Sequence, residues 1–238
     1  MIFYYIRHGD PVYEPDSLTP LGERQAEAVA KRLSVYGLDK IYVSTSQRAI
    51  LTAKPTCEIL KMEAEAVDFA NEKYAYEDFS IERVKGDRRW AMHDDLCMDL
   101  FLSDSFVRYN PKWYDHPKLK EYGFGKGVDR VYRDTDDFFK NLGFEHIRGT
   151  GRYKVTNPKY DRVALFAHHG FGMAFLSALL DVPYPFMVTH TDMTHSGVTV
   201  IHFVEKDGFA IPKMLMFSSD AHIYNEGYGT KYINLTNI

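Results

Sequence analysis

Two kinds of apolar pattern alternate along the chain. Ile2 to Ile6 is a short continuous apolar run, as expected of a buried parallel strand. After a loop from Pro11 to Ser17, Ala26, Val29, Ala30, Leu33 and Tyr36 recur at three- and four-residue spacing, which predicts an amphipathic helix. Thr19 and Pro20 suit its N-cap and first helical position, and Gly37 suits its end. Lys40 to Val43 predicts a second strand, and Ile50, Ala53, Cys57 and Leu60 a second helix, in which Pro55 is expected to introduce a kink or limit the first turn. Ala66 to Phe69 reads as a weaker third strand. Arg162 to Ala167 is the strongest strand pattern in the chain, followed by a helix over Met173 to Leu180. Val198 to Val204 and Met214 to Phe217 are two further strands.

From about residue 73 to 160 the pattern changes. Charged and aromatic residues mix without strand-like runs, glycines recur, and Val131 to Leu142 is the clearest helix. The alternation of strands and helices outside this segment predicts a three-layer α/β/α fold with a mainly parallel central sheet. The chain is then one domain over 1–238, with an inserted, mainly helical cap at about 73–160.

Composition narrows the function classes. A hydrophobic fraction of 45% and a charged fraction of 26% are ordinary for a globular protein, which disfavours disorder. The formal charge is −4 and the basic residues are scattered, which argues against nucleic acid as a partner. Cys57 and Cys97 form no Cys-x-x-Cys pair, so neither a disulfide framework nor a thiolate metal site is suggested. No apolar run reaches the length of about 18 residues that a membrane helix needs, and the first residues do not read as a signal peptide. The expected setting is the cytoplasm, away from membranes. With 17 Tyr and 16 Phe, either an aromatic core or an aromatic pocket is to be expected.

The unusual polar residues fall at three strand-to-helix junctions: Arg7-His8-Gly9, Ser44 to Arg48, and His169-Gly170. Alone, Arg7-His8-Gly9 reads first as a polar strand end followed by a turn. In a parallel sheet with right-handed crossovers, however, all three lie along one edge and can converge. Two arginines, two histidines and helix N-termini describe a pocket for a doubly charged oxyanion, phosphate being the common one. Neutral imidazole in such a pocket is also a competent nucleophile towards phosphorus.

Arg7-His8-Gly9, Leu18-Thr19-x-x-Gly22-x-x-Gln25-Ala26, Ser44-x-Ser46-x-Arg48-Ala49-x-x-Thr52-Ala53 and His169-Gly170 together resemble the histidine phosphatase superfamily, also called the phosphoglycerate mutase-like family. The resemblance covers residues 1 to about 60 and about 162 to 205. It implies a metal-independent histidine acid-type phosphatase that needs no cofactor and hydrolyses small phosphomonoesters. His8 would be the nucleophile, with Arg7, Arg48 and His169 holding the phosphoryl oxygens. The proton donor implied is Glu72, with Glu77 and Asp78 as competitors, because the Gly-x-Trp-Glu-Gly segment that often follows the acid is missing. Gly9, Thr19, His168, Gly170 and His195 are the expected substrate-binding positions.

His168 beside His169 also invites a metal reading, but no carboxylate stands at ligand spacing, and His168 is expected to support the pocket from behind. His195 and His222 are candidates for the pocket rim. Tyr74, Tyr76 and Trp90 either line the substrate side or pack the cap. Two rivals stay open: a phosphoglycerate mutase-like phosphotransferase, for which Asn71-Glu72 is thin support, and a non-catalytic phosphate-binding module. A homo-oligomer also stays open, as does the identity of the substrate.

Overall fold

The computed structural model describes residues 1–230. Eight strands form one sheet. In chain order they are Ile2–Arg7 (β1), Lys40–Ser44 (β2), Ala64–Val67 (β3), Phe144–Ile147 (β4), Arg152–Val155 (β5), Arg162–Ala167 (β6), Val198–Lys206 (β7) and Phe209–Ser219 (β8). Their spatial order is β3-β2-β6-β1-β7-β8-β5-β4. The first four run parallel. β7 joins β1 antiparallel, and β8, β5 and β4 continue in that sense. The parallel core is therefore extended by an antiparallel half.

The helices of seven or more residues are Pro20–Ser34 (α1), Gln47–Leu60 (α2), Glu72–Phe79 (α3), Asp95–Ser103 (α4), Phe124–Asn141 (α5), His169–Leu180 (α6) and Tyr184–His190 (α7). Side chains alternate across each strand, and the core divides accordingly. Phe3, Tyr5, Leu165 and Phe203 pack with Phe138, Phe139, Phe171 and Phe175 of α5 and α6. Ile6, Val43, Ala164 and Phe166 pack on the other face with Val29 and Leu33 of α1 and Ala49 and Ala53 of α2. Two covered faces explain why these strands read as continuous apolar runs. The aromatic surplus is spent largely in the first cluster, where Phe3 meets Phe139 edge-on with ring centroids 5.2 Å apart.

Local predictions are met at the first helix: Thr19 accepts from Gly22 N at 3.1 Å, and Pro20 opens the helix. α2 runs through Pro55 to Leu60. In the segment 73–160, α5 begins seven residues before the expected Val131, and β4 and β5 join the main sheet instead of a separate cap. Their pattern is short and charged because they lie at the sheet's outer antiparallel edge. Among the described residues no helix is long and apolar enough to cross a membrane.

A polar network ties this edge to α6. The side chain of His146, fully buried, lies 2.9 Å from Asp136 Oδ1 and 3.1 Å from Asp181 Oδ2, and Arg148 bridges the same two carboxylates. Burial alone disfavours the charged imidazole, but the hydrogen bonds to Asp136 and Asp181 outweigh it and the His146 pKa is raised. Asp181, despite its burial, is lowered to about 2 by His146, Gly151 N and Arg148. A raised histidine stabilises fully below its unfolded value near 6.5 and loses that contribution as pH rises through the folded pKa. A lowered carboxylate contributes above its ordinary range and loses this as pH falls through about 2. The network therefore stabilises most between roughly pH 4 and 6.5. His146→Gln is expected to cost about 2 kcal/mol at pH 6, roughly 4 to 8 °C in Tm for a chain of this size. Thermal unfolding against pH should show the gap narrowing above neutrality; a gap constant from pH 5 to 9 would refute the charged imidazole.

Candidate active site

The carboxyl ends of the four parallel strands lie side by side, and the turn entering β7 lies beside that of β1. Arg7 is the last residue of β1 and pairs with Ala167 of β6, so His8 emerges next to His168. Arg7 NH1 donates to the Met193 carbonyl, and NH2 lies 2.7 Å from His195 Nε2. A guanidinium only donates, so His195 must accept on Nε2 and carry its proton on Nδ1, which faces Asp10 Oδ1 at 3.4 Å. Burial, then the Arg7 charge, lowers His195 to about 3. A neutral His195 thus orients Arg7.

His8 Nδ1 stands 2.7 Å from the Gly9 carbonyl oxygen. That oxygen can only accept, so Nδ1 carries the proton and Nε2 the free lone pair. Burial lowers the His8 pKa well below its ordinary value, and the His168, Arg7 and Arg48 side chains add to this. The imidazole is therefore held neutral, in the tautomer that leaves Nε2 nucleophilic. His168 packs its ring edge against His8 at 5.2 Å, lies 2.7 Å from Ser44 Oγ through Nε2, and has its carbonyl fixed by the Tyr5 hydroxyl at 2.5 Å.

At the second junction Arg48 sits in the first turn of α2. Its NH1 is paired with Asp16 Oδ1 at 2.9 Å, and Asp16 Oδ2 accepts from Gln47 N at 2.8 Å. At the third, His169 opens α6, and the Glu72 carboxylate accepts from Gly170 N and Phe171 N, each at 2.9 Å. Both helix N-termini are thus held by carboxylates of the chain itself, as the macrodipole and free N–H groups favour. Burial raises the Glu72 pKa; the two N–H bonds and the arginines oppose it without cancelling it. His169 is lowered by burial, with Asp192 opposing; its Nε2 lies 3.1 Å from Asp192 Oδ1, off line for a good hydrogen bond.

Arg7, His8, Arg48, Glu72, His169 and His195 line one cavity of about 760 Å³. Tyr76 and Trp90 also line it, in edge-to-face contact at 5.2 Å. Among the described residues, the buried Arg7 Nε, Arg48 Nε and His169 Nε2 have no hydrogen-bond partner. A buried donor left without a partner costs about 1–3 kcal/mol, so the two guanidinium N–H groups around one cavity, with the His169 imidazole beside them, describe a receptor for an oxyanion. Among the described residues no group of three His, Cys, Asp or Glu side chains is placed to hold a metal ion.

Several expected positions lie outside this cavity. Gly9 packs against Gly22, whose carbonyl a Gly9 side chain would meet at 2.6 Å, so this glycine serves the close approach of the first junction to α1. Thr19 caps α1 and donates to Asp10 Oδ2 at 2.7 Å. His168 stands behind His8. Gly170 lies under the Trp90 ring, 2.3 Å from where its Cβ would be, with its N–H given to Glu72. His222 lies 3.0 Å from Ser196 Oγ, away from the lining residues, and Tyr74 donates to Asp68 at 2.6 Å. Glu77 is exposed and Asp78 is paired with Arg130 at 2.6 Å; of the three acids weighed, only Glu72 reaches the cavity. Asp16, Tyr13, Met92 and His93 line it without any sequence signal, because they come from loops whose path local patterning does not fix.

Residues 3–80 match the model of the histidine phosphatase superfamily (branch 1). The whole fold is similar to three solved structures. One is the phosphoserine phosphatase of Entamoeba histolytica (19% identity, 93% of this chain and 98% of that one, TM-score 0.60). Another is a putative alpha-ribazole-5'-P phosphatase of Escherichia coli (17%, 92% and 97%, 0.59). The third is a mycobacterial glucosyl-3-phosphoglycerate phosphatase in complex with vanadate (17%, 92% and 99%, 0.57). No curated protein matches the chain by sequence.

Proposed function

We propose that this chain, histidine-phosphatase-like in its N-terminal third and in its whole fold, hydrolyses phosphomonoesters through a phosphohistidine on His8. The observation that carries the reading is the fixed tautomer of His8, neutral and hydrogen-bonded through Nδ1 to Gly9, beside two unsatisfied buried guanidinium N–H groups in one cavity.

In the first step His8 Nε2 attacks phosphorus, the bond to the leaving oxygen breaks, and Glu72 gives its proton to that oxygen. Arg7, Arg48 and His169 take up the equatorial charge. In the second step water attacks the phosphorus, Glu72 takes the water proton, the P–N bond breaks, and phosphate leaves with His8 neutral again. The raised Glu72 pKa supports the acid role, since a donor must hold its proton at the working pH. Each Glu72 oxygen spends one lone pair on a backbone N–H, leaving a second for the proton.

A panel of phosphoesters, run with and without chelator and paired with rapid quenching of labelled substrate, tests the reading. Turnover insensitive to chelator and an acid-labile, base-stable protein phosphate are expected. Tight vanadate binding without turnover of any ester would leave a binding module instead.

The Asp16 ion pair gives a further expectation. Bound phosphate must share or displace the carboxylate on Arg48, so Asp16→Asn should tighten inorganic phosphate about three- to fivefold, the worth of one partly exposed ion pair. Weaker binding by calorimetry would mean instead that Asp16 orients Arg48 for the ligand.

A further inference from the structure

A second chamber of about 360 Å³ adjoins the active-site cavity, sharing Met92, His93 and His169 with it. Its remaining wall is Met98 of α4, Met173 of α6, and Val188, Thr191 and Asp192 of α7 and the segment after it. His169 is the partition: one side faces the oxyanion receptor, the other the chamber. An ester whose phosphoryl group sits at His8 therefore occupies a cavity that shares a wall with the chamber.

The chamber has little to offer a polar group. The Thr191 hydroxyl is spent on the Met187 carbonyl at 2.6 Å. Asp192 Oδ1 accepts from its neighbour Met193 N at 2.7 Å and faces His169 Nε2 at 3.1 Å. Apart from the His93 imidazole and the second Asp192 oxygen, what remains is three thioethers and a valine, an apolar and adaptable lining, and the Asp192 carboxylate repels anions.

We infer that this chamber binds an uncharged apolar part of the substrate alcohol, an aryl or branched alkyl group, and disfavours alcohols that carry a carboxylate or a second phosphate. The inference rests on the phosphatase reading for the word substrate, but the subsite itself can be tested by binding alone. It assigns Met98, Met173 and Val188 to specificity, apart from the residues that handle phosphate.

The test uses phosphonates, which cannot be hydrolysed, measured by calorimetry. 3-Phenylpropylphosphonate should bind at least tenfold tighter than ethylphosphonate, the return expected from burying one phenyl group, and phosphonoacetate no tighter than ethylphosphonate. Val188→Phe and Met98→Trp fill the chamber from two different helices. Each should abolish the tenfold advantage, and either one that retains the wild-type unfolding transition suffices. An advantage absent from the wild type, no binding of the phenylpropyl compound, or an advantage that survives filling overturns the inference. Turnover of ethyl and 3-phenylpropyl phosphate, whose leaving groups have similar basicity, separates the two readings. Ranked phosphonate binding with neither ester hydrolysed sinks the phosphatase and keeps the chamber, whereas hydrolysis without ranking does the reverse.

Discussion

Replacing His8 by alanine is expected to lower phosphatase turnover by about 10⁴-fold or more, because no other group supplies the covalent route. His195 and His168 stand near His8, at ring distances of 5.7 and 5.2 Å, but neither brings a free lone pair to the phosphoryl site: His195 Nε2 is spent on Arg7, and His168 is buried behind His8 and does not line the cavity. The variant should keep its affinity for inorganic phosphate within a few-fold, since Arg7, Arg48 and His169 remain. That separation of binding from turnover distinguishes loss of a nucleophile from collapse of the pocket. Steady-state rates, phosphate calorimetry and acid-labile phosphate on both proteins check it. Wild-type rates in His8→Ala would sink the mechanism outright.

Glu72→Gln is expected to lower turnover of alkyl phosphates by about 10²- to 10³-fold, within the usual range for a positioned acid. The amide still accepts one backbone N–H at the start of α6 but carries no transferable proton. The loss should depend on the leaving group: near full for an alkoxide, which needs the proton, and less than tenfold for 4-nitrophenolate, which departs without it. The pH profile adds an independent check. His8, lowered by burial, is ready as nucleophile once pH exceeds its depressed pKa, so its ionisation gives the rising limb. Glu72, raised by burial, must be protonated, so activity falls as pH rises through its pKa. The optimum lies between the two. In Glu72→Gln the descending limb should disappear; a descending limb unchanged in the variant would assign the acid to another group.

The strands and helices that carry these residues were legible because their signals are local. β6 matches the apolar run Arg162 to Ala167 residue for residue, and Thr19 caps the helix its position predicts. The junction residues were legible for a second reason: Arg7 ends, and Arg48 and His169 follow, a strand whose neighbours in the sheet can be inferred from right-handed crossovers. The segment after Phe79 was not. α4 depends on contacts with α7, and the hairpin Ser80–Glu82 with Arg88–Trp90 lays Trp90 over Gly170 of α6, partners that no short window contains. For the same reason β4 and β5 read as part of an insertion, although β5 pairs with β8 at the far side of the sheet and β4 with β5.

By itself the sequence determined the four parallel strands, the helices on both faces, and the three junctions that bring two arginines and two histidines to one edge. Periodicity and capping chemistry act over a few residues, and they suffice for that. Tertiary structure alone decided the rest. It placed Glu72 and not Glu77 in the cavity, gave both helix N-termini to carboxylates of the chain, fixed the His8 tautomer on Gly9, and opened the methionine-lined chamber behind His169. Those features are set by groups far apart in sequence meeting in a buried space. There desolvation and hydrogen-bond geometry, which no local pattern encodes, determine protonation and access.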